Sequence, residues 1–481
     1  MGDDELKFLI NGEISHNDVQ VMAQVFFHHL PFVVVDEVCA DGLCLAVEKN
    51  SCSAVTARLF DKGNEILAET SAPQAASERE ARPVAYAIYQ VLSKFTGYIP
   101  PWGLLTGIRP AKLFTALFGE GMNRLQAINE IVEQYFVQPE RAELCADVAA
   151  RQVKLMATSA AGAISIYISI AFCPTRCNYC SFSAYPITKF GNREEAYVSA
   201  LIREVTYLGK ISKGKQIENI YIGGGTPTAL NDKNFEKLLS AVQDNFDTQS
   251  VLEYTVEAGR PDTISREKLE IMRKYAVQRV SVNPQTLNDK TLEKIGRSHT
   301  VSDFFEAYKL TREYGFSHIN IDLILGLEGE DAEDVKRTLA GIAALEPESV
   351  TIHSLAVKRA SKLHYDAVIC AFEQVGMQED MLELCNTYMS QAGLAPYYLY
   401  RQKNSPGNFE NIGYSKPGME GRYNIHMMEE TRSVLAAGCG AITKLVCEKT
   451  GKIDRIMNIR DLDQYIARVD EMIVRKGDIY E

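Results

Sequence analysis

The chain has 481 residues, of which 46% are hydrophobic and 24% are charged, as in an ordinary folded protein with room for two or three domains. Its 51 basic and 63 acidic residues give a formal net charge of −12, which argues against a broad nucleic-acid surface because such surfaces need clustered Lys and Arg. The sequence begins MGDDELKFLI, whose acidic residues do not suit a signal peptide, and no apolar run approaches the ~20 residues that cross a bilayer. We therefore expect a cytoplasmic protein that binds neither nucleic acid nor membrane.

Residues 1–160 are expected to form an appended domain, to which the sequence assigns no role. Strand-like stretches occur at Leu6–Ile10, Phe32–Val35 and Ala54–Phe60, and Leu104–Ala157 has the apolar spacing of several helices. This pattern predicts an N-terminal domain of mixed strands and helices.

A repeated strand-and-helix pattern fills residues 161–356. Short β-branched runs predict strands, and the amphipathic stretches between them predict helices. The predicted strands are Ile164–Ile170, Ile217–Gly223, Leu252–Glu257, Arg279–Asn283, Ile319–Leu325 and Ser349–Ser354. The predicted helices are Arg193–Leu208, Asn234–Asn245, Arg266–Tyr275, Ser302–Tyr314 and Ala332–Ala344, the first with Asn192 and Glu195 as a capping pair.

This alternation predicts the α/β class. Strands joined by single helices form a parallel sheet with right-handed connections, which either opens into a doubly wound sheet or curls into a barrel that six units would leave incomplete. In both arrangements ligands gather at the carboxyl ends of the strands, so the residues that follow each strand are the ones to search for chemistry.

Residues 357–481 are expected to form a third, α+β domain. The pattern predicts a helix near Asp366–Ala392, a strand at Pro396–Arg401, a Gly- and Pro-rich stretch at Ser405–Gly421 and a helix near Asp461–Arg475.

Three cysteines stand together directly after the first predicted barrel strand, in the run Cys173-Pro-Thr-Arg-Cys177-Asn-Tyr-Cys180. Each corner iron of a four-iron cluster wants one external ligand, so three thiolates would leave one iron open. An open iron in a strand-end pocket can bind the amino and carboxylate groups of S-adenosylmethionine, whose sulfonium bond breaks when the cluster supplies an electron. The alternative is a structural zinc site with a fourth ligand elsewhere, which the position after a buried strand disfavours.

A triple glycine, in the run Gly223-Gly-Gly-Thr-Pro-Thr228, follows the second predicted strand. Bare backbone lets N–H and C=O groups approach a ligand closely, so this turn is a candidate clamp for the amino group of the cofactor's methionine. On this interpretation, Gly225→Val weakens cofactor binding far more than cluster assembly.

Further polar residues stand in or just after the later strands, namely Glu257, Gln285, Arg297 and Asp322. A ribose needs carboxylate or amide acceptors and a carboxylate needs a guanidinium, so the set matches an adenosyl amino acid, although each residue alone has an ordinary alternative as a solvated strand end. His353 lies at the end of the sixth strand, either as a substrate contact or as a satisfied barrel histidine.

The motifs CPTRCNYC, GGGTPT, YTVEA, SVNPQTLN, KIGRSHT and INIDLILGL, in this order, resemble those of the radical SAM superfamily, and specifically of its oxygen-independent coproporphyrinogen III oxidase group. The resemblance runs from about Ile164 to Leu445. The longer N-terminal region and the segments GYSKPG and GCGAITKL look most like the HemZ-type branch. The group's known oxidase decarboxylates two propionates of coproporphyrinogen III to vinyls, giving protoporphyrinogen IX in anaerobic haem synthesis.

The resemblance implies an incomplete (β/α)6 barrel with a C-terminal domain that closes over the substrate. It implies a [4Fe–4S] cluster on Cys173, Cys177 and Cys180, and S-adenosylmethionine as one molecule or two. The implied cofactor contacts are Tyr167, Tyr179, Gly224, Gly225, Thr226, Glu257, Gln285, Arg297 and Asp322, with Ala356 and Ile442 at a second cofactor site or the substrate cavity. The implied partners are a porphyrinogen or haem-like molecule and a one-electron donor such as flavodoxin or ferredoxin.

The chain departs from the group at three places. The oxidase carries a further cysteine where this chain has Phe182 and a histidine where it has Ser169, so full oxidase activity is in doubt. An Asn-x-x-Tyr-Trp segment of many relatives, including the haem-carrying branch, is here Asn424-Ile-His-Met-Met428, so simple transfer of the haem-chaperone role is in doubt as well.

Three functions therefore stay open. The leading one is oxidative decarboxylation of coproporphyrinogen III, with Arg401 or Lys403 as propionate partners by charge alone. The second is a haem-binding chaperone, in which His426, Met427 and Met428 could offer axial ligands to haem iron. The third is radical chemistry on an unrelated substrate.

Overall fold

A computed structural model describes residues 5–27, 30–50, 54–71, 81–182, 184–355, 372–402, 409–447 and 449–477. They form two compact units: one holds the described part of residues 1–147 and 401–409, and the other the described part of residues 148–364, 372–400 and 410–481. The predicted domains 1–160, 161–356 and 357–481 stay predictions. Among the described residues, none of the helices combines the length and apolar character needed to cross a bilayer.

The first unit is a mixed sheet packed against helices. Its elements are β1 (Leu6–Asn11), α1 (His16–Phe26), β2 (Phe32–Val34), β3 (Leu43–Lys49), β4 (Val55–Asp61), β5 (Asn64–Ser71), α2 (Ala81–Thr96), α3 (Ala111–Gly119) and α4 (Arg124–Tyr135), after which α5 (Pro139–Met156) continues along the chain. Strand β1 pairs in parallel with β2 and β3, while β3, β4 and β5 form an antiparallel meander with β3 at the centre of the sheet. Buried residues of α1, α2 and the sheet share one hydrophobic core. The predicted strands are present, and β3 and β5 are additional to them.

The second unit begins with the repeated strand-and-helix pattern. Its first elements are β6 (Ile164–Ile170), β7 (Phe172–Cys173), β8 (Tyr185–Pro186), α6 (Ile187–Phe190), α7 (Glu194–Ile211), β9 (Ile217–Gly224), α8 (Asp232–Asn245), β10 (Glu253–Glu257), α9 (Arg266–Lys274), β11 (Arg279–Ser281), α10 (Asp289–Lys294), α11 (Val301–Glu313), β12 (Ile319–Leu325), α12 (Ala332–Ala343) and β13 (Ser349–Ser354). Further along lie α13 (Phe372–Gln391), β14 (Ala395–Arg401), β15 (Glu410–Ser415), α14 (Arg422–Glu429), β16 (Val434–Ala437), β17 (Ile442–Val446), β18 (Ile453–Met457), α15 (Leu462–Ala467) and α16 (Val469–Lys476).

The strands β6, β9, β10, β11, β12 and β13 pair in parallel and in chain order. A doubly wound sheet reverses its strand order at one point, whereas right-handed connections that always step the same way place every helix on one face and curl the sheet. The two ends of this parallel array do not pair with each other in the described part of the chain, since β13 pairs with β15 and β6 with β16. The predicted incomplete (β/α)6 barrel is therefore confirmed.

Polar and apolar residues alternate along these parallel strands. Alternate side chains of a strand share one face, and parallel strands that are packed on both faces are usually apolar throughout. Here one face of β6 carries isoleucines while the other carries polar residues, and the later strands repeat the pattern. Hydrogen bonds link the polar positions across strands, from Asn219 to Ser165 and from Ser349 to Asn320. The inner face of the barrel is therefore polar.

One local prediction was wrong. Asn192 does not cap the first barrel helix, because residues 191–193 form a 3-10 turn that leads into α7 without a side-chain cap. The described part of the Gly- and Pro-rich stretch Ser405–Gly421 contains the strand β15, which was not predicted from the sequence. The predicted helix near Asp366–Ala392 is observed as α13, and its first residues lie outside the described part of the chain. The last predicted helix is observed as α15 and α16, separated by Arg468.

A buried ion pair fixes the end of the chain to the first barrel helix. Lys476 of α16 and Glu204 of α7 are both fully buried, and their Nζ and Oε1 atoms are 2.5 Å apart. The Glu204 carboxylate also accepts hydrogen bonds from Tyr465, Asn458 and the backbone N–H of Gly438. This arrangement satisfies a charge that would otherwise be costly to bury.

We expect Lys476→Ala to lower the free energy of unfolding by about 3–5 kcal/mol, because it leaves the Glu204 carboxylate buried without its counter-charge. Urea unfolding followed by circular dichroism measures the loss. The matched control is Lys452→Ala, which removes an exposed partner of Asp454 and should change the free energy by less than about 0.5 kcal/mol. Equal losses in the two variants would contradict a structural role for the buried pair.

Candidate functional site

The cysteine loop leaves the carboxyl end of β6 and is held against a turn later in the barrel. Asn178 donates to carbonyl oxygens of residues 294–295, with its Nδ2 at 2.7 Å and its backbone N at 3.0 Å. The Thr175 hydroxyl donates to the neighbouring carbonyl of Gly296 at 3.0 Å. Backbone and side-chain bonds thus fix the loop that carries Cys173, Cys177 and Cys180 in one conformation.

The three thiols lie in a partly desolvated environment. Burial raises the pKa of the Cys173 thiol to about 11, against the hydrogen bond that the Thr226 hydroxyl donates to its Sγ at 3.4 Å. Burial also raises the pKa of Cys180. Thiolates form here when a metal displaces the protons, so metal binding should release protons. The described residues contain no group of three or more His, Cys, Asp or Glu side chains placed to hold a single metal ion.

The triple glycine packs directly against the strand that enters the cysteine loop. The backbone N–H groups of Gly225 and Thr226 donate to the carbonyls of Ile170 and Phe172, each at 2.7 Å. A Cβ on Gly225 would lie 2.3 Å from the Phe172 carbonyl oxygen, which is far closer than real contacts allow. Gly225 is therefore required by the packing of two backbones, next to Cys173.

This packing changes the expectation for Gly225. A side chain there displaces the residues that carry Cys173, so cluster assembly is affected directly and not only cofactor binding. Gly224 has φ +98°, a conformation that favours glycine, and a Cβ on Gly223 would lie 2.7 Å from a carboxylate oxygen of Glu257. Whether Gly224, Gly225 and Thr226 contact the cofactor stays a prediction.

Glu257 lies at the end of β10 beside the glycine turn. Tyr221 of β9 donates to its Oε1 at 2.5 Å. Burial, with a further contribution from the Asp322 carboxylate, raises the pKa of Glu257 to about 7, although the hydrogen bond from Tyr221 opposes the rise. Glu257 can therefore hold or release a proton near neutral pH, and it faces the same interior as Asp322.

Three tyrosines stack on the inner face of the barrel. The ring of Tyr221 lies 4.4 Å from that of Tyr423 in α14 and 6.2 Å from that of Tyr167 in β6, with nearly parallel planes. Burial raises the pKa of all three phenols above the usual value. Together they form an aromatic cluster beside Glu257.

Asp322 is held by amide side chains. Asn283 donates from Nδ2 to one carboxylate oxygen at 2.8 Å, and Asn320 donates to the other at 2.7 Å. Gln285 follows β11 with φ +75°, and its backbone pairs with β12 through the N–H of Gln285 to the carbonyl of Asp322 and the N–H of Ile324 to the carbonyl of Gln285. The backbone thus holds Gln285 in an unfavourable conformation next to Asp322, as residues at binding sites often are.

Arg297 connects this region to the cysteine loop. Its guanidinium donates to the carbonyls of Gly259 and Asn283 at 3.0 and 2.9 Å and to the hydroxyl of Tyr179 at 3.0 Å. Its Nε is buried and has no hydrogen-bond partner within the described residues. A buried N–H without a partner costs free energy, so this atom is suited to receive a carboxylate.

The remaining predicted residues are less connected to this group. His353 of β13 lies 3.9 Å from the Asp322 carboxylate and 3.3 Å from the Tyr400 hydroxyl, so it joins the inner face. Ile442 begins β17, two strands beyond β6 and on the side away from β9 to β13. Ala356 lies outside the described residues. The structure therefore groups the contacts on β6 to β12 and does not place Ile442 among them.

Sequence reasoning missed Tyr221, Tyr423 and Arg260. Tyr221 occupies an alternate polar position of β9, so the period-two pattern of the strands could have indicated that it faces inward. Arg260 follows β10, two residues after the motif YTVEA, and lies against the cysteine loop. Nothing in the sequence alone indicates that α14 brings Tyr423 into the barrel.

Comparisons with known proteins place this geometry in a family. Residues 167–341 match the sequence profile of the Radical SAM superfamily. The oxygen-independent coproporphyrinogen-III oxidase-like protein HemZ of Bacillus subtilis is 36% identical, over 98% of this chain and 97% of that protein. The chain belongs to the radical SAM superfamily, in the HemZ-type branch of its coproporphyrinogen III oxidase-like group.

Two other relatives are informative. The heme chaperone HemW of Bacillus subtilis is 33% identical over 54% of this chain and 66% of that protein. The structure of coproporphyrinogen III oxidase (HemN) from Escherichia coli, described as a radical SAM enzyme, aligns with a TM-score of 0.50 over 68% of this chain and 73% of that chain, at 22% identity. This structural likeness supports the fold alone.

As a radical SAM protein, the chain uses a [4Fe–4S] cluster and S-adenosylmethionine. The donor set fits these groups: three thiols share one loop, Thr226 and Arg260 direct donors at two of the sulfurs, and Arg297 offers an N–H that has no partner in the described part of the chain. The assignment of individual residues to the cluster and the cofactor stays a proposal.

The first prediction from the site concerns Gly225. We expect Gly225→Ala to reduce bound iron and sulfide by more than half after anaerobic reconstitution, since its Cβ would meet the Phe172 carbonyl. Iron and sulfide assays measure the loss. Gly119→Ala is the control, because a Cβ there meets nothing within 4 Å. Full cluster content combined with lost cofactor binding would show that the glycine acts on the cofactor alone.

The second prediction concerns Glu257 in the chain without cofactors. Its pKa is about 7 when folded against an ordinary value of 4.5, so between these values the folded chain keeps a proton that the unfolded chain has lost. Its contribution to the free energy of unfolding is therefore complete below about pH 4.5 and is lost as the pH rises to about 7. We expect Glu257→Gln, which stays neutral, to remove this decline in urea unfolding between about pH 5 and about pH 8. The same decline in both proteins would contradict the raised pKa.

Proposed function

We propose that the chain is a radical SAM enzyme that acts on a porphyrinogen, most specifically by oxidative decarboxylation of coproporphyrinogen III to protoporphyrinogen IX. The observation that carries the proposal is the match to the oxidase-like protein HemZ over 98% of the chain, which includes the region after the barrel. That region is where substrate specificity is expected, because the barrel itself serves many radical SAM reactions.

In this proposal Cys173, Cys177 and Cys180 hold the cluster. Bound there, the cluster would supply the electron for cleavage of S-adenosylmethionine, and the cofactor would supply the carbon radical that takes hydrogen from the substrate. A propionate that loses one hydrogen atom then releases carbon dioxide and passes one electron to an acceptor, which leaves a vinyl group. A flavodoxin or ferredoxin is the class of donor that suits the first electron.

The residues of the chain provide binding and orientation. Arg297 offers Nε to the carboxylate of the methionine, while Glu257 and Asp322 face the space where ribose hydroxyls would need acceptors. The stacked rings of Tyr167, Tyr221 and Tyr423 make one side of this site apolar. These groups come from separate strand ends, so their alignment depends on the barrel.

The departures from the oxidase favour a slow reaction. Phe182, at the position of the oxidase's further cysteine, is 63% exposed. Ser169, at the position of its histidine, donates to the Cys439 carbonyl at 3.3 Å. Neither side chain supplies a thiol or an imidazole, so substrate placement is expected to be poorer, and ~1 Å of misplacement can cost on the order of 10²-fold in rate.

The predicted propionate partners receive no support from the structure. Arg401 is buried, donates to the backbone carbonyl of Leu105 and lies over the ring of Trp102, so its guanidinium is already used. Lys403 lies outside the described residues.

The second candidate function is a haem chaperone, which the similarity to HemW favours. The predicted haem ligand His426 does not support it. His426 is 1% exposed, and its ring nitrogens contact Glu218 at 3.3 Å and Thr431 at 3.0 Å. A chaperone role would therefore need an axial haem ligand other than His426.

One experiment separates the two functions. The reconstituted chain is incubated anaerobically with S-adenosylmethionine, a reductant and coproporphyrinogen III, and products are resolved by mass, with Cys177→Ala as the control. We expect 5′-deoxyadenosine together with slow loss of carbon dioxide from the porphyrinogen, and neither product from the control. Rapid formation of 5′-deoxyadenosine without loss of carbon dioxide, together with stoichiometric tight haem binding, would contradict the oxidase and support the chaperone.

A further inference from the structure

Arg260 is a buried cation against the cysteine loop. Its side chain is 3% exposed, and its Nη1 lies 3.7 Å from the Sγ of Cys177. Both terminal nitrogens also donate to the Thr175 hydroxyl, each at 3.1 Å. Burial of a charge is costly unless it is paired, so a guanidinium at this position needs partners.

The charge of Arg260 is paired with Asp262 on its other edge. Nε and Nη2 donate to the two carboxylate oxygens of Asp262 at 3.1 and 3.2 Å, as in the bidentate geometry of strong ion pairs. Nη1 takes no part in that pair and points to Cys177. The ion pair is therefore oriented with its positive edge toward the sulfur and its negative edge away.

We propose that Arg260 is a positioning residue that raises the reduction potential of the cluster bound by Cys177, and that Asp262 orients Arg260 and partly offsets its charge. Adding one electron to the cluster adds one negative charge, which a nearby cation stabilises most strongly where water is excluded. Hydrogen bonds to the sulfurs act in the same direction. The inference rests on the assignment of Cys177 to the cluster and does not depend on the substrate.

The alternative role of Arg260 is purely structural, since it ties Thr175 to the turn after β10. The two roles predict different changes in the reduction potential of the cluster. If Arg260 acts through charge, then Arg260→Gln lowers the potential and Asp262→Asn raises it. If it only holds the loop, both variants loosen the loop and shift the potential in the same direction or leave it unchanged.

The test is a redox titration of the reconstituted full chain without substrate, followed by electron paramagnetic resonance of the reduced cluster. We expect Arg260→Gln to lower the ratio of reduced to oxidised cluster at a fixed potential about tenfold, which is about 59 mV for one electron. Arg260→Lys should recover part of the shift, and Asp262→Asn should move it the opposite way. Lys237→Gln, which removes an exposed cation paired with Glu195, should cause no shift.

Shifts of the same sign in Arg260→Gln and Asp262→Asn, or no shift in either, would overturn the proposal. If Arg260→Gln fails to assemble a cluster, Arg260→Lys and Asp262→Asn decide: a raised potential in Asp262→Asn supports the proposal and an unchanged or lowered one overturns it. A wild-type chain that assembles no four-iron cluster would overturn the assignment of Cys177 as well.

Discussion

The site depends on one close contact between two backbones, where the glycine turn after β9 lies against the chain that leaves β6. The N–H groups of Gly225 and Thr226 bond to the carbonyls of Ile170 and Phe172, and the space between the strands leaves no room for a Cβ. This contact sets where Cys173 begins its loop and brings the Thr226 hydroxyl to the cysteine sulfur. The same turn lies against Glu257, so the proposed cluster site and the proposed cofactor contacts share one backbone frame.

The inner face of the barrel is polar and can therefore bind a charged cofactor next to this backbone contact. A barrel interior is usually filled by branched apolar side chains, but here tyrosines, carboxylates and amides from successive strands bond to one another. Such a network keeps each group in place, and it leaves specific atoms unpartnered, among them the Nε of Arg297 within the described residues. Rigid side chains that keep free hydrogen-bond donors or acceptors are suited to hold a charged cofactor, because little reorganisation is needed when it binds.

The six barrel strands could be predicted to within a few residues because their apolar periodicity is a local property of the sequence. The cysteine loop was predictable for a related reason, since the spacing of its three cysteines within eight residues indicates a metal cluster. The strand β15 was not, because Glu410–Ser415 lies within a Gly- and Pro-rich stretch and pairs with β14 and with the distant strand β13. Arg260 was missed for the same reason: its contact with Cys177 joins residues 83 positions apart, and no local pattern records it. His426 was proposed as a haem ligand because the sequence does not show that the buried Glu218 lies beside it.

The central claim is that Cys173, Cys177 and Cys180 hold a four-iron cluster whose open iron binds S-adenosylmethionine. The most direct measurement is the hyperfine coupling of the reduced cluster to S-adenosylmethionine labelled with ¹⁵N at the methionine amino group, combined with metal and sulfide analysis of the same sample. We expect about four irons and four sulfides for each chain and a clear ¹⁵N coupling. One tightly bound zinc without sulfide, or a four-iron cluster without coupling to the labelled nitrogen, would contradict it.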